Sequence, residues 1–119
     1  MRWIFVVLAG LAGCAQLPAD LRDQGIRLER SSPNGPAAAA QCLARNAGGI
    51  SGAVSELQWN ADLSRVLSIN ARPHPSLPVE TIAAARIRSS GTGSAVEIWL
   101  KPGAYAAPDQ FADRLVRGC

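Results

Sequence analysis

Residues 79–101 constrain the fold of this chain more than any other stretch. Val79 to Ser89 and Ser94 to Lys101 flank Ser90-Gly91-Thr92-Gly93, which has the residue types of a hairpin turn. Setting Gly91 opposite Thr92 pairs residues whose numbers sum to 183. Ile87 then faces Val96 and Ala85 faces Ile98, two apolar pairs. On the other side Arg86 meets Glu97 and Ala84 meets Trp99. One register satisfies both faces, and a slip of one residue would spoil both. Ala83-Ala84-Ala85 behind Thr81 has local helix character, but the two-sided match outweighs it. Such a hairpin has one apolar face that another layer must cover.

The flanking segments supply that layer. Pro36 opens a run rich in alanine that continues to Ala47 and meets Gly48-Gly49. Proline suits a first helical turn, alanine is the best helix former and glycine ends the run. Asn34 or Gly35 caps its start. Ala39, Cys42, Leu43 and Ala47 share one face at helical spacing, so Cys42 points inward. Pro108 opens a second helix through Arg117, with Phe111, Ala112 and Leu115 as its apolar stripe and Gly118 as its stop. Between the helices, Val54–Trp59 is short and mixed, and Leu67, Ile69 and Ala71 alternate with polar neighbours as in a half-buried strand. Leu57 and Trp59 share a face, which assigns Trp59 to the core. Pro73-His74-Pro75-Ser76-Leu77-Pro78 reads as a surface loop, because proline lacks a donor and fixes φ. The expected fold is α+β: a two-layer sandwich of about four antiparallel strands. An N-terminal and a C-terminal helix lie on one face.

The start of the chain follows a different rule. Arg2 precedes nine apolar residues, Trp3 to Leu11. Nine residues of helix span only about 14 Å, short of the roughly 30 Å of a hydrocarbon core. A short basic start, a short apolar stretch and small residues behind it describe an export signal. Leu11-Ala12-Gly13-Cys14 resembles the lipobox of bacterial lipoproteins. That resemblance implies cleavage before Cys14, a diacylglycerol thioether on its sulfur and usually an acylated amine. It also implies that Ala15, where an aspartate would retain the protein at the inner membrane, directs it to the periplasmic side of the outer membrane. Acyl chains contribute about 0.8 kcal/mol per buried CH₂, so such an anchor is durable. The expected organisation is a removed signal over 1–13, a lipidated tether over 14–35 and a small periplasmic domain over 36–119. Within the tether, Ile26 and Leu28 alternate with Arg27 and Glu29, which allows a short strand.

Export sets the reading of the remaining cysteines. Cys42 and Cys119 would sit in an oxidising compartment, where two thiols ordinarily bridge. The alternatives are two free buried thiols or a metal site. The chain has one histidine and no C-x-x-C spacing, which disfavours metal. A structural bridge is the expected state, joining the C-terminal residue to the first long helix.

Composition excludes some functions. Without residues 1–13, eleven arginines and lysines face nine acidic residues, a surplus of +2. That is no footprint for nucleic acid. No G-x-S-x-G, phosphate loop or metal motif is present. His74 lies between prolines, and Asp109 and Asp113 on one helix face suit a dipole role better than acid–base work. No catalytic residue, cofactor or small-molecule substrate is expected. The hairpin's outer face offers a candidate binding patch of Trp99, Arg86, Arg88 and Glu97, with Lys101 beside it, because Trp and Arg are enriched at recognition spots. The competing reading, which is preferred, has Trp99 covering Ala84 and stacking on an arginine. Packing of residues 24–30 there would abolish the patch. The expected protein is a non-enzymatic, outer-membrane-anchored lipoprotein that binds an envelope protein. More specialised forms are a pilotin-like accessory of a secretion pore and an inhibitor of a wall-degrading enzyme.

Overall fold

A computed structural model describes residues 19–50, 53–60, 64–71, 76 and 78–119. Helix α1 (Ala19–Gln24) precedes β1 (Ile26–Ser32) and α2 (Pro36–Gly48). Strands β2 (Ala53–Trp59), β3 (Arg65–Ala71), β4 (Glu80–Ser90) and β5 (Gly93–Leu100) follow, and α3 (Pro108–Val116) completes the fold. The strands form one antiparallel sheet in the order β1-β5-β4-β3-β2. The α+β sandwich is as expected, but with five strands rather than four.

The β4–β5 hairpin has the expected register. Ile87 pairs with Val96, Ala85 with Ile98, Arg86 with Glu97 and Ala84 with Trp99. Gly91, at φ 59°, adopts the left-handed backbone that the tight turn requires. From this hairpin the sheet grows in two directions. β3 adds Leu67 and Ile69 to the apolar face beside β4, as the alternation indicates. β1 adds itself beside β5, with Leu28 opposite Ile98. Residues 26–32 therefore belong to the sheet rather than to the tether. Arg27, Glu29 and Arg30 dilute the apolar signal of this strand, because it lies at an edge where charge is tolerated.

Helices α2 and α3 cover one face. Ala39, Ala40, Cys42, Leu43 and Ala47 of α2 meet Phe111, Ala112 and Leu115 of α3 over Leu67, Ile69, Ile87, Val96, Ile98 and Leu100. Gly35 and Pro36 begin α2 as expected, and Gly49 caps its end. Gly118, at φ 74°, ends the α3 segment just beyond Arg117. Alanines let α2 approach the sheet closely, at the expense of apolar area per residue.

The Cys42–Cys119 disulfide is present, with a Cα–Cα separation of 5.6 Å. Hydrogen bonds fix its surroundings. Asn46 Nδ2 donates to the carbonyls of Leu115 at 2.8 Å and Arg117 at 2.9 Å, which satisfies the end of α3. Ser32 Oγ and Asn34 Nδ2 both donate to the main-chain oxygen of Cys119. The end of β1 and the last turn of α2 thus grip the same C-terminal turn.

Trp59 does not join the core. It is 64 % exposed, although Leu57 on the same face packs inward. Trp59 is on edge strand β2, and its partner across the ladder is Arg65, not an apolar residue. The Arg65 guanidinium lies over the indole, 4.1 Å from its centroid.

β1 and β5 meet most tightly at Gly93, where an added Cβ would stand 2.1 Å from the Ser32 carbonyl oxygen. A clash with backbone cannot be relieved by a rotamer change. Gly93→Ala is expected to destabilise the fold by roughly 1–3 kcal/mol, read as a lower midpoint in urea unfolding. An unchanged midpoint would show that β1 is not held there.

Candidate interaction face

The outer face of the sheet carries the residues singled out from the sequence. Trp99, Glu97, Arg86 and Arg88 come from the hairpin and stand side by side, as the register requires. The structure adds two neighbours that change their meaning. Leu21 of α1 packs with Val66, Ala84 and Trp99 in a small cluster of its own. Trp99 is consequently only 4 % exposed. The indole is therefore a packed side chain rather than an exposed recognition spot, and the packing reading accounts for it. The cover comes from Leu21 of α1, just upstream of residues 24–30, whose packing there would have abolished the patch.

The second addition is Arg27 of β1. Its Nη2 donates to Glu97 Oε2 at 2.5 Å and to Glu29 Oε1 at 2.9 Å. The sheet sets Glu29 directly opposite Glu97. Two carboxylates in that position repel, and one guanidinium between them removes the conflict. Arg88 Nη2 reaches Glu97 Oε1 at 2.9 Å, and Arg86 Nε lies 3.6 Å from the same oxygen. The Glu97 side chain is 8 % exposed, so this carboxylate is the buried hub of the network. Desolvation pushes its pKa up. The Arg27 hydrogen bond and the charges of Arg88, Arg86 and Arg27 outweigh that and hold it below the ordinary carboxylate value. Arg27 and Arg86 also flank the Trp99 ring, 5.9 and 5.7 Å from its centroid.

Three guanidinium groups thus face two carboxylates, a surplus of one positive charge. Glu97 Oε2 accepts the Arg27 hydrogen bond, and Oε1 is paired by charge with Arg88 and Arg86. Lys101 pairs with Glu80 at 2.5 Å. Asp109 and Asp113 are drawn to the opposite side of the sheet, where Arg30 reaches them at 3.2 and 2.9 Å. Cys14, Ala15 and His74 lie outside the described residues.

The helical side holds a shallow cavity of about 230 Å³ lined by Ile50, Tyr105, Ala106, Ala107, Gln110, Phe111 and Arg114. Tyr105 stacks on Phe111 with ring centroids 4.3 Å apart. Burial pushes the Tyr105 phenol up, and the Arg114 charge opposes it. The cavity is smaller than the roughly 300–1,000 Å³ typical of ligand sites. Among the described residues, no group of three His, Cys, Asp or Glu stands close enough to hold a metal.

Arg27 and Leu21 could not be assigned to this face from sequence alone. Arg27 acquires its role only once β1 is paired with β5. Leu21 is the one large apolar residue in a helix of six residues, too short for a periodic signal. No family model matches the chain, and no curated protein or solved structure matches it.

Two measurements test this account. Trp99→Ala should lower stability by about 3–5 kcal/mol, the usual loss for a buried indole; a change below about 1 kcal/mol would mean that α1 does not cover the ring. The second follows from the depressed pKa of Glu97. Its stabilising contribution is complete above the unfolded value of about 4.3 and drains away as pH falls through the lower folded value. Glu97→Gln should therefore flatten the acid limb of stability against pH below about pH 5. An acid limb identical to that of the parent would exclude Glu97 as its source.

Proposed function

We propose that this chain is a lipid-anchored protein of the bacterial cell envelope. It is held at the periplasmic face of the outer membrane through Cys14, and its non-enzymatic domain binds an envelope protein. The observation that carries this reading is Leu11-Ala12-Gly13-Cys14 behind a nine-residue apolar run with a basic start. Ala15 supports the outer-membrane destination. The disulfide is consistent with export, because reducing compartments rarely keep such a bridge. Among the described residues, no helix is long and apolar enough to cross a membrane.

The anchor and the fold meet at α1. Cys14 and Leu21 are seven positions apart. Such a stretch reaches at most about 25 Å when fully extended. A lipid on Cys14 would thus keep α1, which packs on the outer face of the sheet, within about that distance of the anchor. The α2–α3 layer lies on the opposite side of the sheet, turned toward the periplasm. In this reading, the partner meets the helical layer and the sheet edges rather than the outer face.

Intact mass of the protein extracted from its own membranes tests the anchor. The expected mass is that of residues 14–119 plus acyl chains, with a gain of two hydrogens on reduction. Cys14→Ser should yield a chain without lipid. A native protein that retains residues 1–13, or that carries no acyl chain, contradicts the reading.

A further inference from the structure

We propose that β2 is a self-association edge, across which two copies of this chain join their sheets antiparallel about a twofold axis. The sheet has two edges, β1 and β2, and an edge strand offers unpaired N–H and C=O groups to any matching strand. The two edges are protected very differently. β1 carries Arg27, Glu29 and Arg30 within seven residues, and Arg30 is tied to Asp109 and Asp113 of α3. β2 is equally long but has a single charged residue, Glu56, and no proline or lysine. Its ladder with β3 runs from Ala53 to Trp59 without a bulge that would twist the edge away. It also ends in Trp59, the most exposed of the large apolar side chains among the described residues.

The sequence of β2 is complementary to itself. In the antiparallel register whose residue numbers sum to 114, Leu57 faces Leu57 of the second copy. Ser55 then faces Trp59, and Glu56 faces Gln58, each twice by symmetry. Glu56 and Gln58 already show that they fit, because Gln58 Nε2 donates to Glu56 Oε1 at 2.6 Å within one strand. Ser55, Leu57 and Trp59 share the face covered by the helices, so the pairing extends the apolar layer and covers Trp59. The neighbouring register, with a sum of 112, sets Glu56 against Glu56 and is rejected by charge. A lone charge placed one residue from the axis thus disfavours that alternative. Such an interface is isologous and closes at two copies, giving a continuous sheet of ten strands. The contact is small, so its dissociation constant should be on the order of micromolar.

Sedimentation equilibrium on the full protein, in density-matched detergent where it carries lipid, reads the association directly. A monomer–dimer equilibrium is expected between about 1 and 200 μM. Gln58→Glu puts two carboxylates face to face at both symmetric positions and should weaken the dimer about tenfold or more. Adding Glu56→Lys to that variant restores opposite charges and should restore the dimer. Circular dichroism melting of each variant confirms that the monomer is folded. A parent protein that stays monomeric at the highest concentration overturns the proposal. So does a dimer indifferent to Gln58→Glu, or one that the double variant fails to restore.

Discussion

The Cys42–Cys119 bridge is the constraint on which the rest of this structure depends. The layer that covers the sheet is made of two helices, and one of them is largely alanine. Ala39, Ala40 and Ala47 are buried, but each contributes little apolar area. Aromatic residues are 5 % of the chain, so few large side chains make up the difference. A domain of this size buries a modest fraction of its surface and has a narrow margin of stability. The bridge closes a separation of 77 residues, which in the chain-entropy model contributes roughly 4–5 kcal/mol. It also sets α2 beside the end of α3, so that Asn46 can satisfy the carbonyls of Leu115 and Arg117. Ser32 and Asn34 then lock the end of β1 to the same turn. Sheet edge, helix layer and C-terminal residue are joined at one place.

The two faces of the sheet solve different problems. The helical face excludes water with apolar side chains. The outer face is covered only locally, where Leu21 shields Trp99, and the rest is stabilised by compensation of charge. Glu97 is tolerable at 8 % exposure because arginines from β1 and β4 converge on it. Removing any one of them would leave a poorly hydrated carboxylate with less compensation. The network therefore specifies that β1 lies beside β5 in one register. This gives the charged residues of β1 a structural reason that their exposure alone would not suggest.

The sequence disclosed these features unevenly, for physical reasons. The β4–β5 register was legible residue by residue, because both faces constrain it and the turn is short. Helices α2 and α3 were legible from proline starts, glycine stops and apolar spacing. β1 was only half legible, since an edge strand keeps charge on most of its positions. Trp59 misled, because period-two logic assigns a face but not a depth, and the depth depends on being at an edge beside Arg65. Trp99 was correctly placed with Ala84 and the arginines. That it is covered, however, depends on Leu21, far away in sequence and silent in any local pattern. The charged patch was thus visible as a set of residues, while its closed state needed the tertiary fold.

The dependence of the fold on the bridge is measured most directly by urea unfolding of the oxidised protein beside the Cys42→Ala, Cys119→Ala double variant. This dependence predicts that the variant loses roughly 3–5 kcal/mol of unfolding free energy, with a much lower midpoint. It also predicts that the oxidised protein unfolds in one cooperative step. Superimposable unfolding curves for the two proteins would contradict it, and would assign the stability of the domain to the sheet and its apolar face alone.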